Sequence, residues 1–261
     1  MSGRNSREIR RRALDEARQA QQRRKRRLRL AAWAGAVVVV AGAGIGVGLG
    51  LSGSSAGSGP VASAGGTASY GPLSSLGTLT AAPAPGSTGP ENVPIPSAPV
   101  LAGTSAATAG QAIDGIGCQT SEQTVFHIHT HLTIFVNGQQ RQVPPGIGIP
   151  GAVAQQTQAG PFVDSGSCFY WLHTHAADGI IHIESPVQRT YTLGEFFDEW
   201  GQPLGPGQVG QAQGKVTVIV NGQVFKGNPR DVPLGSHENL QVEVGTPLVA
   251  PETINWSSTG L

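Results

Sequence analysis

The stretch TVFHIHTHLTIFV, residues 124–136, alternates with a period of two: Phe126, Ile128, Leu132, Ile134 and Val136 share one face, and His127, His129, His131, Thr133 and Phe135 the other. Successive side chains of a strand point to opposite sides, so the run predicts a half-buried β-strand. Asn137-Gly138 follows it, and Asn221-Gly222 follows KVTVIV. Both dipeptides accept the positive φ angles of a two-residue turn, which predicts two tight hairpins, and Asp178-Gly179 marks a third. TYTLGEFFDEWG, residues 190–201, breaks the alternation. Thr192 with Glu195 three residues later fits a capping box, Phe196, Phe197 and Trp200 make an apolar stripe, and Gly201 fits the stop, so a short helix is expected. Residues 112–261 are numerous enough for one core. Several strands and one helix there give an α+β domain, mainly antiparallel β. A weak echo between LTIFVNGQQRQVP (132–144) and VTVIVNGQVFKGNPRDVP (216–233) hints at two similar β units.

Two upstream segments lack any such period. Residues 31–51, AAWAGAVVVVAGAGIGVGLGL, carry no charge. At about 1.5 Å per residue they reach across a bilayer core of about 30 Å, which predicts a transmembrane helix. From residue 52 to residue 111 the chain is almost entirely Ala, Gly, Ser, Thr and Pro, with Glu91 its one charge. Such a composition buries too little apolar surface to offset the entropy of ordering, so a disordered linker is expected.

Charge then sets the orientation. Residues 1–30 hold twelve Lys/Arg against Glu8, Asp15 and Glu16, a net of +9; with the whole chain at +1, the remainder carries −8. A basic cluster beside an apolar span keeps that side cytoplasmic, so everything after Leu51 is expected outside the cell membrane. The tail reads as a topology signal and a contact for anionic lipid rather than as a nucleic-acid site. A cleaved signal peptide is the rival reading, with small residues at Ser52 to Ala56, although the apolar run exceeds the usual core of about 7–15 residues. RRLRL at 26–30 also has a twin-arginine flavour.

Six of the seven histidines fall in two short segments: His127, His129 and His131 in the first strand, and His173, His175 and His182 in CFYWLHTHAADGIIHIES, 168–185. If Asp178-Gly179 is a two-residue turn, His175 lies opposite His182 and His173 opposite Glu184. A four-residue loop from Ala176 to Gly179 pairs His173 with His182 instead. Either register leaves all four side chains on one face, away from Leu172, Ile181 and Ile183. Imidazole and carboxylate suit Zn²⁺ or Cu²⁺, also Ni²⁺ or non-haem iron, and H-x-H on a strand completed by His or Glu from a neighbour makes a three-ligand site. Seven donors exceed one open tetrahedral site. They fit either one metal with supporting histidines or two metals sharing a face. His237, in the turn PLGSHENL, falls outside the pattern and is read as structural.

Cys118 and Cys168 precede the two histidine segments. Outside the cytoplasm the pair reads as a disulfide stapling those segments together, with thiolate copper ligation the competing view. No G-x-S-x-G elbow or P-loop is present, and GAGIGVG lies inside the apolar span, where its glycines suit helix packing. Asn255-Trp256-Ser257 matches a glycosylation sequon. Three readings follow: a metal-binding protein, a metal-dependent enzyme with Glu184 as base or ligand, and a pH-sensitive contact module.

HIHTHLTIFVNG together with CFYWLHTHAADGIIHIESPVQRTYTLGEFFDEWGQPL resembles a group of uncharacterised, membrane-anchored extracytoplasmic proteins of actinobacteria and archaea, over residues 118–250. The resemblance implies the outward location and the histidine sites and names no reaction. Where relatives often carry an acidic residue after H-T-H, this chain has Ala176.

Overall fold

The alternating run becomes the central strand of an eight-stranded sheet. The computed structural model describes residues 68–105 and 107–261; the basic tail, the apolar span at 31–51 and the linker up to residue 67 lie outside the described residues. The strands of the main sheet are β1 (Ser69–Pro72), β2 (Phe126–Val136), β3 (Gln139–Arg141), β4 (Leu172–His173), β5 (Ile180–Ser185), β6 (Val216–Val220), β7 (Gln223–Lys226) and β8 (Glu238–Val244). Their order is β1-β7-β6-β8-β2-β5-β4, with β3 also paired to β2. All neighbours are antiparallel except β8 and β2, where Leu240 lies beside Leu132 and Val242 beside Ile134. The domain is thus mostly β and rich in antiparallel pairs. Among the described residues no helix is long and apolar enough to cross a membrane.

Both Asn-Gly turns form as expected. Asn137 and Gly138 have φ of 51° and 71°, Asn221 and Gly222 48° and 76°, and they close β2–β3 and β6–β7 with Val136 opposite Gln139 and Val220 opposite Gln223. The Asp178-Gly179 turn is different. His173 lies opposite His182, the register of the longer loop, and the ladder stops there. Thr174 is the reason: its N–H donates to Ile147 O (3.1 Å), its carbonyl accepts from Gly146 N (2.8 Å), and its Oγ1 donates to Pro144 O (2.9 Å). Those bonds turn the backbone away from β5. Gly179, at φ +84°, sits so close to β2 that a Cβ there would lie 2.3 Å from Leu132 O, which only glycine tolerates.

One face of the sheet packs on helix α1 (Leu193–Trp200). The capping box is present, with Glu195 N donating to Thr192 Oγ1 (3.3 Å) and Thr192 N to Glu195 Oε2 (2.8 Å), and Gly201 closes the helix in the left-handed conformation. Leu132, Ile134, Leu172, Ile181, Ile183, Leu240 and Val242 meet Phe196, Phe197 and Trp200 in this core. A second, one-turn helix, α2 (Trp256–Thr259), was not expected; Asn255 caps it by accepting from Ser257 N.

The linker expectation needs correcting from residue 68 onward. β1 adds to the sheet edge along β7, Thr80 N donates to Leu248 O (2.8 Å), and Leu101 N donates to Gln142 O (2.9 Å). Ser87–Thr88 pairs with Pro94–Ile95 across a tight turn that carries Glu91. A segment without a core of its own still orders when its backbone groups find partners on a surface built by the rest of the chain. Composition reports the first property and is silent on the second.

Candidate metal centre

The face of the sheet opposite α1 carries the imidazoles. β5 runs antiparallel to β2 and sets His182 opposite His129 and Glu184 opposite His127; β4 then sets His173 opposite His182. The bend at Thr174 brings His175 back over the same spot, so that its ring centroid lies 4.5 Å from that of His182 and 4.8 Å from that of His173. Among the described residues three ligand-competent groups result: His127, His129, His182 and Glu184; His173, His175 and His182; and Glu122, His173 and Glu184.

Hydrogen bonds at the outer nitrogens fix the tautomers. His173 Nδ1 donates to Tyr170 O (2.9 Å) and His175 Nδ1 donates to Val163 O. A carbonyl only accepts, so each ring holds its proton on Nδ1 and keeps a lone pair on Nε2, the arrangement that orients imidazole metal ligands. Those two Nε2 atoms lie 3.2 Å apart. On the strand side, His127 Nε2 and His129 Nε2 are 3.0 Å apart, and Glu184 Oε1 is 3.0 Å from His127 Nε2. Two nitrogens bound at about 2.0–2.1 Å to one ion, with an angle near 90–110°, stand about 2.9–3.4 Å apart. Both pairs match that bite.

Electrostatics point the same way. Burial, then the nearby His182 and His127, pushes His129 down to about 3. Burial, then His182 and His175, holds His173 well below the usual imidazole range, and burial lowers His175 as well. These rings are neutral near pH 7, which is the ligating form. His182 differs. Burial opposes its charge, but the carboxylates of Glu184 and Glu91 outweigh burial and hold it up at about 9. Its Nε2 bonds Glu91 Oε1 at 2.7 Å, while Nδ1 is buried without a hydrogen-bond partner, 3.5 Å from Glu184 Oε1.

Of the seven donors expected from the sequence, His127, His129, His173, His175, His182 and Glu184 come together. His131 does not. It lies opposite Ile180, its Nε2 donates to Asp178 O (3.0 Å), and burial pushes it down to about 4. It braces the Asp178-Gly179 turn. His237 stacks on Trp256 at 4.8 Å and bonds Leu261 O, outside the site as expected. Cys118 and Cys168 form a disulfide, which removes thiolate copper ligation and ties the two histidine segments together. With His129, His131, His173, His175 and His182 all buried, His127 is the one imidazole of the cluster that reaches solvent.

Two carboxylates escaped the sequence reading. Glu91, 7% exposed, reaches His182 from the segment expected to be disordered. Glu122, on the approach to β2, lies 3.6 Å from His175 Nε2 and is 40% exposed. Glu91 had a signal, as the one charge between residues 52 and 110. Glu122 had none, because strand parity does not reach a loop. His127 and Glu122 are the exposed members, so the site opens to solvent on their side.

Comparison with protein-family models, curated proteins and solved structures gives no match for this chain.

Proposed function

We propose that this protein binds a transition metal, zinc or copper(II), on the outer side of a cell membrane. In this reading residues 31–51 form the single-pass anchor, as in the membrane-anchored histidine-motif proteins that the chain resembles, and the basic tail meets anionic lipid in the cytoplasm. One observation carries the metal reading. His173 and His175 aim two lone-pair nitrogens at each other across 3.2 Å, with both protons committed to backbone carbonyls on the far side. Buried lone pairs facing each other repel unless a cation lies between them. The ligands are imidazole and carboxylate, with both cysteines in a disulfide and Met1 the one methionine, which favours Zn²⁺ or Cu²⁺ over Cu⁺. The disulfide also suits an oxidising compartment.

Metal analysis of the untagged full chain in detergent tests this. About one equivalent or more of tightly held zinc or copper is expected, and less than about a third of an equivalent after titration contradicts it.

A second reading, a metal-dependent enzyme, is favoured by the solvent-facing side at His127 and Glu122, where an ion could keep a water. A bound water acidified toward a pKa of about 7 would appear as a visible-spectrum titration of the cobalt-loaded chain. A pH-independent spectrum argues against it.

A further inference from the structure

The donors divide into two pairs that fall in separate groups. His127 and His129 group with His182 and Glu184; His173 and His175 group with His182; neither group contains both pairs. Ligands on opposite sides of one ion are at most about 4.2 Å apart, twice a metal–nitrogen bond of about 2.1 Å, so one ion cannot collect both pairs. Glu184 is the donor that reaches both sides. Its Oε1 lies 3.0 Å from His127 Nε2 and 3.5 Å from His182 Nδ1, and it also groups with Glu122 and His173. Its other oxygen, Oε2, is buried and has no hydrogen-bond partner. A carboxylate 4% exposed with one oxygen committed and the other free is arranged to hold two cations, one on each oxygen. His182 cannot bridge in the same way, because its Nε2 is taken by Glu91 at 2.7 Å.

We propose that the centre is dinuclear, with Glu184 as the bridging carboxylate: His127, His129 and His182 Nδ1, which gives up its proton as the ion binds, hold one ion, and His173, His175 and Glu122 hold the other. This rests on the metal-binding reading above and adds the count, the bridge and the division of ligands. Bridged ions stand about 3.5–4 Å apart in two-metal sites, close enough to clamp one small oxygen ligand between them. The exposed members of the two sets, His127 and Glu122, lie one in each half, so each ion is reached from solvent through its own half.

The test uses the full, untagged chain, stripped with chelator and titrated with copper(II). Two equivalents are expected, with an electron paramagnetic resonance signal that integrates well below two spins because the ions couple. One equivalent overturns the dinuclear centre and leaves the metal-binding reading standing; no uptake overturns both. Two equivalents with two uncoupled spins overturn the Glu184 bridge. Glu122→Ala sits on an exposed loop and leaves the fold unaffected, which circular dichroism checks. It is expected to weaken the second equivalent about 10–100-fold and leave the first unchanged. Equal weakening of both, or of neither, contradicts the division of ligands.

Discussion

The two faces of the sheet obey different rules. On the helix side, Leu132, Ile181, Ile183 and Val242 meet Phe196, Phe197 and Trp200, and any side chains of similar volume would serve. On the other side, at the same strand positions shifted by one residue, His129, His182, Glu184 and His173 are buried with nitrogens facing nitrogens. That arrangement lowers stability in the absence of a cation. The helix face supplies stability from which the histidine face draws, a division expected where a site must be held rigid against its own repulsion.

The comparison breaks most visibly at its strong side. Phe197→Ala should cost about 3–5 kcal/mol of stability, because a fully buried aromatic leaves a cavity. Denaturant unfolding would show it, and metal binding would fall only as far as the folded fraction falls. His175→Ala should do the reverse. It removes one of two facing lone pairs, so metal affinity should drop by more than about 100-fold, beyond the loss typical of a residue that merely orients a ligand. The metal-free protein should melt no lower than before. A melting loss like that of Phe197→Ala, with metal retained, would mean that the imidazoles are core residues.

Glu91→Gln probes the strap that crosses from the N-terminal segment. Its carboxylate orients His182, so affinity should fall about 10–100-fold by metal competition assay while the fold is kept. Glu199 sharpens the contrast from inside the apolar region. It is 0% exposed, neither of its oxygens has a partner, and burial followed by the charge of Glu195 holds its pKa well above the usual range. A carboxyl whose pKa is higher folded than unfolded gives stability below the unfolded value, and that stability is lost as pH rises through the folded value. Glu199→Gln should therefore stabilise the protein more at pH 8 than at pH 5 in urea unfolding, without altering metal content. The smallest effect is expected for His237→Ala, within about 0.5 kcal/mol and with unchanged metal content, since the ring stacks on Trp256 and bonds Leu261 O at the exposed surface.

Strand parity made most of this site readable in the sequence. HIHTH, His173 and the H-I-E run needed only a period of two and a turn to share a face, and this survived the turn being longer than Asp178-Gly179 alone implies, whereas the bend at Thr174 rather than parity places His175. The same parity over-counted. His131 has the right face but lies opposite Ile180, one step beyond the ligand cluster, where a carbonyl of the turn takes its Nε2. Glu91 and Glu122 were hidden for another reason. Both arrive on irregular segments, positioned by contacts distant in sequence, and no local period encodes where such a segment docks. The helix was legible down to its cap because Thr192 and Glu195 are neighbours in sequence as well as in space.

The most direct test of the central claim is an anomalous difference map at the metal edge from crystals of the zinc- or copper-loaded protein. A peak within about 2.0–2.2 Å of Nε2 of both His173 and His175 is expected. A map with density only at surface groups such as His237, or with none against these two nitrogens, would contradict it.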